Sequence, residues 1–465
     1  MKVWIWPTKT FRACKSHKPA EKRLKKIASL QSIDRLATLV KSTLTGSSSF
    51  SVIVRNSGWL LFDKFFRLSL GVLMGAWLAR YLGPAEFGEL AYVLAYIAFF
   101  QSVAVLGLDG ILVREIAQNT KCAQELLGTA FAMRLGMGAL CWLAAVGGMA
   151  LQNGIAERSV ILTALAGGSL VFQAADTVDL WFQSQSQSRH TVLAKSLGYI
   201  ASNGIKAILI LNDAPLAAFA AVMALDGLAA AAGLAIAYRT APCEGRWART
   251  ARTARMLLSE SWPFILSGLS IMVYMRIDQV MIKEMLGAEQ LGIYTAVLPI
   301  ATVWQFIPVM LNASLAPFVA RKKEEGEAAY WRALENIFRA YSLMAWLVCV
   351  ATVAFADIAI DVLYGAQYQQ GAKMLTIYVF TNIFVSMGVA QGLWMLNDKR
   401  AIVGLFNTMV GAVASILGNL ILIPKYGLVG AAITSVVAMA ASAWLANLIS
   451  SRKLFFLQIK SLVLR

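Results

Sequence analysis

Histidine is nearly missing. His17 and His190 are the only two, and both lie outside the apolar windows, which argues against a histidine-ligated metal centre. The five cysteines, Cys14, Cys122, Cys141, Cys243 and Cys349, are odd in number and follow no spacing, so neither a disulfide framework nor a zinc site is encoded. They read as small packing residues. No Gly-rich loop ending in Lys-Ser or Lys-Thr occurs, which removes ATP hydrolysis as an energy source. No short apolar core followed by a small-residue cleavage site opens the chain, so residues 1–57 are not a signal peptide. Charge is also scarce: Asp, Glu, Lys and Arg make up 14% of the 465 residues.

Apolar residues fill the gap. They form 58% of the chain and its mean hydropathy is +0.64, more than a water-soluble core can hide. The net charge of +17 does not point to nucleic acid, because such binders cluster Lys and Arg on a polar folded face. Here most of the basic residues lie between apolar stretches. Windows of roughly 20 apolar residues, enough to cross a hydrocarbon core of roughly 30 Å, fall near 58–80, 86–108, 126–150, 158–182, 191–212 and 215–238. After a polar break they resume near 262–284, 290–318, 334–356, 373–396, 400–423 and 427–450.

This spacing predicts an all-α integral membrane protein with twelve transmembrane helices in two six-helix lobes. Its parts are a basic cytoplasmic tail at 1–57, a first lobe at 58–238, an Arg-rich cytoplasmic linker at 239–261, a second lobe at 262–451 and a cytoplasmic tail at 452–465. In the first tail Leu24, Ile27, Leu30, Ile33, Leu36 and Leu39 recur every third residue beside Lys22, Arg23, Lys25 and Lys26. That pattern suits an amphipathic helix on an anionic leaflet; a disordered basic tail fits the segment equally. With both termini inside, 30 of the 42 Lys and Arg residues fall on the cytoplasmic side and five on the outer side, a bias that fixes the expected orientation.

The two halves carry a repeat. Leu82-Gly83 with Phe87-Gly88 returns 204 residues later as Leu286-Gly287 with Leu291-Gly292. A duplicated helix bundle suits a transporter whose halves rock about a shared midplane site. All four glycines are expected to permit tight turns between spans.

Seven basic residues remain inside the windows: Lys64, Arg67, Arg134, Lys195, Lys206, Arg276 and Arg339. With them lie Asp63, Asp176, Asp179, Asp226 and Asp278. A charge at the centre of a spanning helix costs about 2.5–3.5 kcal/mol, so such residues face a cavity, pair, or snorkel. Snorkelling accounts equally well for Lys195, Lys206 and Arg339, near span ends; Arg67, Arg134 and Arg276 lie deeper. Asp63 and Arg67 are spaced i,i+4, and Lys64 and Arg67 i,i+3, so the first span carries a charged face. Arg276, Gln279 and Lys283 form the matching stripe on the seventh span. The candidate cationic cavity is therefore Lys64, Arg67, Arg134, Arg276, Lys195 and Arg339. Asp63, Asp176, Asp179, Gln183 and Asp278 are candidates for sugar hydroxyls or a coupling cation. For the Asp176 to Gln187 face, local capping at a solvated helix end remains an alternative. A cavity lined by Arg and Lys wants an anionic substrate, with proton or sodium as the possible coupling ion and no cofactor.

The residues that follow resemble the Wzx-type polysaccharide flippases of the multidrug/oligosaccharidyl-lipid/polysaccharide exporter superfamily. They are Ala79-Arg80-Tyr81-Leu82-Gly83-Pro84 with Phe87-Gly88, Leu106-Gly107-Leu108-Asp109 with Val113-Arg114-Glu115, and Asp179-Leu180-Trp181-Phe182-Gln183. In the second half they are Arg276-Ile277-Asp278, Leu286-Gly287 with Gly292-Ile293-Tyr294, and Ile423-Pro424-Lys425-Tyr426-Gly427 with Gly430-Ala431-Ala432. The resemblance covers residues 55–450 and leaves the basic tail outside it. It implies alternating access in the bacterial inner membrane. The expected substrate is an undecaprenyl-diphosphate-linked oligosaccharide flipped to the outer leaflet, with membrane lipid, a polysaccharide polymerase and glycosyltransferases as partners. A cation-coupled drug exporter of the same superfamily is the alternative, and a membrane-embedded glycosyltransferase or polymerase is the alternative from another class. An exporter of organic cations would favour an acidic, aromatic cavity, and a polymerase a large outer loop that this sequence lacks.

Overall fold

The computed structural model describes residues 48–118, 122–185, 187–240, 246–398 and 400–462. The amphipathic segment expected at 24–39 and the side chains of Asp63 and Lys64 lie outside the described residues. The chain divides into two units, Met1–Arg55 and Asn56–Arg465, and the apolar helices belong to the second.

Every regular element among the described residues is helical. The first half comprises α1 (Ser48–Ala104), α2 (Asp109–Gln118), α3 (Ala123–Asn153), α4 (Arg158–Gly167), α5 (Ser169–Phe172), α6 (Asp176–Ser184), α7 (Ser188–Leu211) and α8 (Leu216–Thr240). The second comprises α9 (Ala251–Leu286), α10 (Ala288–Thr302), α11 (Phe306–Glu324), α12 (Glu327–Tyr364), α13 (Gly371–Tyr378), α14 (Thr381–Asn397), α15 (Ala401–Ala440), a π-helical turn at Ala441–Leu445, α16 (Asn447–Ser450) and α17 (Arg452–Leu462).

Nine stretches among the described residues are long and apolar enough to cross a bilayer. Two of them, Phe66–Gln118 and Ile402–Ser450, run to 53 and 49 residues, more than twice what one crossing of roughly 20 residues needs. Ile402–Ser450 reverses at Gly427 (φ 58°) and Phe66–Gln118 at Gly83 (φ 72°), the latter with a further break at Leu106 and Gly107 before α2, so each crosses twice. The fifth span, α7, has 24 residues but is too polar to count by hydropathy alone. Together these give twelve spanning helices in two six-helix lobes.

The spans alternate between two faces. All six turns from an odd to an even span carry a residue of positive φ: Gly83, Gly154, Asp213, Gly287, Gly365 and Gly427. We call this the turn face and the opposite one the linker face. Because the first and seventh spans both run toward the turn face, the halves form a parallel repeat about an axis along the bilayer normal.

The repeated glycines serve two purposes, not one. Gly83 and Gly287 (φ 93°) make the turns; the left-handed region costs glycine nothing and other residues strain. Pro84 then opens the second span, where its missing N–H is no loss. Gly88 and Gly292, expected as turn residues, sit instead where the second and eighth spans touch. A Cβ on Gly88 would lie 1.8 Å from the Ala288 carbonyl oxygen, and one on Gly292 1.8 Å from that of Pro84. The offset between Gly88 and Gly292, and between Pro84 and Ala288, is the 204 residues of the sequence repeat. The contact is therefore isologous: each half presents the same surface to the other.

Other bonds close the turn face between the halves. Arg80 Nη2 donates to the carbonyls of Asp361 (3.0 Å) and Val362 (2.8 Å). The Tyr368 hydroxyl donates to Ala79 O at 2.7 Å, and that of Tyr92 to Glu284 at 3.1 Å.

Two segments placed outside the spans by sequence are helical. Ala251 to Ser261, placed in the linker by its arginines, forms the start of α9; Thr250 caps it by accepting from Thr253 N. The C-terminal tail folds as α17, which buries Leu454 and Phe455 and ties Lys460 to Glu335 at 2.8 Å. An alternation of apolar and basic residues drives both: it is too polar to read as a span, yet one face finds a protein surface. Around the linker, Thr250 Oγ1 donates to Glu125 at 2.5 Å and Arg114 pairs with Glu260 at 2.8 Å, fastening the start of the seventh span to the first half.

Candidate functional site

Glycine and small residues on the first span keep the surface beside the second, fifth and seventh spans open. There a cavity of about 260 Å³ is lined by Gly71, Met74, Gly75 and Leu78, by Phe87, Leu90 and Leu94, by Tyr199, Asn203 and Lys206, and by Arg276 and Gln279. A second chamber of about 390 Å³ lies toward the linker face, bounded by Gln101, Ser169, Gln173, Asp176 and Asp226. The two share Leu94, Met223 and Arg276. Their order follows from the helices: the second span contributes residues 87–94 to the first chamber and 94–101 to the second, running away from Gly83.

Arg276 stands at the junction, with Nη1 donating to Gln279 Oε1 at 3.3 Å. Lys206 is only 8% exposed, lines the first chamber, and forms no ion pair with another described residue. No carboxylate lines that chamber. The rest of the wall is apolar or neutral and polar, with Tyr199, Asn203, Gln279 and Thr295 among it, so nothing there cancels the cationic charge. An anion entering would meet an ammonium and a guanidinium with donors to spare.

The other sequence-derived candidates are distributed as follows. Arg67 does not line the first chamber; its guanidinium lies 4.9 Å from the centroid of the Tyr199 ring, and the Tyr199 hydroxyl donates to Arg67 O at 3.3 Å. Arg134, 3% exposed, pairs with Asp109 at 2.5 Å and ties the third span to α2. Lys195 bridges Asp176 at 2.6 Å and Asp179 at 2.7 Å; it reaches the second chamber only through Asp176. Arg339 pairs with Glu335 at 2.6 Å on the ninth span. Gln183 is half-buried near the end of α6. Asp278 is buried within the second half and accepts from the Tyr294 hydroxyl and from Gln279 N (2.8 Å); Ser435 Oγ lies 3.3 Å from the same hydroxyl.

The structure thus brings Arg276 to the cavity wall and Asp176 with it, and holds Arg134, Lys195 and Arg339 in ion pairs. Sequence reasoning undervalued Lys206 and left Tyr199 and Asn203 out. The available signal was the spacing 195, 199, 203 and 206, a single face of one helix. Among the described residues no group of three or more His, Cys, Asp or Glu side chains could hold a metal.

The Arg134–Asp109 pair yields a first prediction. Asp109→Asn would leave the buried Arg134 guanidinium with a neutral partner; because Asp109 is 61% exposed and solvent weakens the pair, stability should fall by about 0.5–1.5 kcal/mol. Arg134→Leu added to it should recover most of that loss. Thermal unfolding of the purified variants measures both; equal midpoints for wild type and Asp109→Asn would refute the assignment.

The sequence model of the polysaccharide biosynthesis protein family matches residues 53–323. A relative from Methanocaldococcus jannaschii, the uncharacterized membrane protein MJ1068, is 24% identical over 167 residues, covering 34% of this chain and 32% of that protein. The chain therefore spans about a third of the length of that curated relative. Among solved structures, the lipid II flippase MurJ in an inward closed conformation is similar with a TM-score of 0.65 and 14% identity, over 86% of this chain and 90% of that one. A multidrug resistance MATE family transporter in an inward-facing conformation gives 0.64 and 14%, over 85% and 96%. An outward-facing MATE transporter gives 0.61 and 16%, over 88% and 96%. At these identities the likeness is one of fold.

Proposed function

The chain belongs to the polysaccharide biosynthesis protein family, and from that premise we propose that it flips a polyprenyl-diphosphate-linked oligosaccharide from the cytoplasmic to the outer leaflet. Undecaprenyl diphosphate is the carrier that the sequence resemblance implies. The observation that carries this reading is the first chamber, where Lys206 and Arg276 face open space that no carboxylate lines. A diphosphate is an anion that cannot enter hydrocarbon unaided, its Born cost being tens of kcal/mol. Fixed cations in a cavity replace its water, and the lipid tail stays in the bilayer.

The two faces supply the access states. Contacts of Arg80, Tyr368 and the reciprocal glycines on the turn face support an access state directed to the linker face, and the positive-inside bias supports a cytoplasmic linker face. Exchange of these contacts for others at the linker face would turn the cavity outward. A proton or sodium gradient can drive the cycle through Asp278, a buried carboxylate within the seventh span that forms no ion pair with another described residue.

A transport assay tests this. Purified protein in liposomes holding a labelled lipid-linked oligosaccharide should make the label accessible to an external glycosidase at a protein-dependent rate. A protein that leaves the label inaccessible, and instead exports a cationic dye down a proton or sodium gradient, would be a drug exporter and the proposal would fail.

A further inference from the structure

The two chambers differ in charge, and the difference bears on which saccharide can enter. The first holds cations alone. The second, on the linker side, is lined by Asp176 and Asp226 together with Gln101, Ser169 and Gln173. The two carboxylates are not equivalent. Asp176 is taken by Lys195 at 2.6 Å, whereas Asp226 forms no ion pair with any described residue and keeps its acceptor capacity for the chamber. Gln173 Oε1 is shut away from bulk solvent and has no donor within the protein. It is a second acceptor with its capacity unused, and Phe172 adds an aromatic surface to the same wall.

Acceptors beside an apolar ring suit a sugar. Hydroxyl groups are donors that such acceptors can satisfy, and a pyranose has an apolar face to lay against an aromatic ring. The order of the chambers also matches a substrate whose diphosphate and glycan are joined end to end, because Arg276 lies on the boundary of both.

We infer that the linker-side chamber receives the saccharide, and that Asp226 is a specificity residue that admits sugars without a carboxylate and turns away uronates. The inference rests on the flippase reading above. A uronate in this chamber would bring a second negative charge beside Asp226, and rejection by a like charge held without an ion pair is how such sites discriminate. Asp176 contributes less to rejection because Lys195 neutralises it. Lys206 and Arg67 act on Asp226 through space without forming an ion pair with it, and Lys206 and Arg276 are engaged by the diphosphate, so the charge of Asp226 is reduced but not cancelled.

The experiment measures binding of three lipids to the full chain in nanodiscs: polyprenyl diphosphate without sugar, the same lipid bearing an N-acetylhexosamine, and the same lipid bearing a hexuronic acid. The wild type should bind the neutral glycolipid about 10–100-fold more tightly than the acidic one. Asp226→Asn should narrow that ratio to within about threefold, and Asp226→Glu, which keeps the charge, should preserve it. Because each ratio is taken within one variant, a loss of folded protein does not mimic the effect. A wild-type ratio near one, or a ratio that Asp226→Asn leaves unchanged, overturns the inference and leaves the flippase reading standing. Failure of the wild type to bind even the sugar-free diphosphate lipid overturns both.

Discussion

Replacing Lys206 and Arg276 together by glutamine is expected to lower transport of a lipid-linked oligosaccharide by about 10²–10⁴-fold. A hydrogen bond to a charged group contributes about 1.5–3 kcal/mol, and each 1.4 kcal/mol is tenfold, so two such contacts to a diphosphate give that range. Both side chains line the chamber free of carboxylates, and nothing on its wall can take over their charge. Arg276→Lys should retain part of the activity, because a point charge replaces the planar fork that grips two oxygens at once. Arg67→Gln should cost less than Arg276→Gln, since Arg67 does not line the chamber and its guanidinium packs on the Tyr199 ring. Arg339→Gln, whose charge is engaged by Glu335, should change transport little. The measurement is initial flipping rate per inserted protein. A double variant within threefold of wild type would remove the cavity from the mechanism.

Gly88→Ala and Gly292→Ala form the second large prediction. Either methyl would stand 1.8 Å from a backbone carbonyl oxygen of the opposing helix, a contact that neither helix can relieve by rotating a side chain. The second and eighth spans must part by roughly an ångström, and close-packed interiors resist such shifts, typically at 1–3 kcal/mol and occasionally more. Transport should fall about tenfold or more, because the turn face can no longer close. The double variant should lose less than the two singles summed. Once the first methyl has separated the helices the second finds room, so the coupling is favourable. Gly136→Ala is the control, as its Cβ would meet nothing within 4 Å. Additive losses, or a Gly136→Ala variant as impaired as the others, would remove the close contact as the cause.

Much of the architecture could be read before any coordinates. Apolar windows marked all twelve helices, and the spacing of Gly83 from Gly287 marked the duplication. The helices in the linker and the tail were not legible for one reason: Ala251–Ser261 and Arg452–Leu462 are amphipathic, and only the facing protein surface decides whether such a segment folds. The glycines were misjudged for a related reason. Gly83 and Gly88 look alike in sequence, and a positive φ separates them from a helix crossing only in three dimensions. Among the charges, Arg276 stood out because it lies deep in its span. The partners of Arg134, Lys195 and Arg339 come from other helices or an adjacent turn, and window depth carries no information about them. Lys206 was undervalued because it lies five residues before Leu211, the end of α7, where a snorkelling lysine is equally expected.

The fifth span is the helix that hydropathy alone passes over, and its polar face has a consequence for how the protein enters the membrane. Helices leave the insertion machinery in the order of synthesis, and one carrying Lys195, Asn203 and Lys206 partitions poorly by itself. Asp176 and Asp179, which neutralise Lys195, sit on the helix made just before it. The fourth and fifth spans are therefore expected to enter the lipid together, as a charge-matched hairpin.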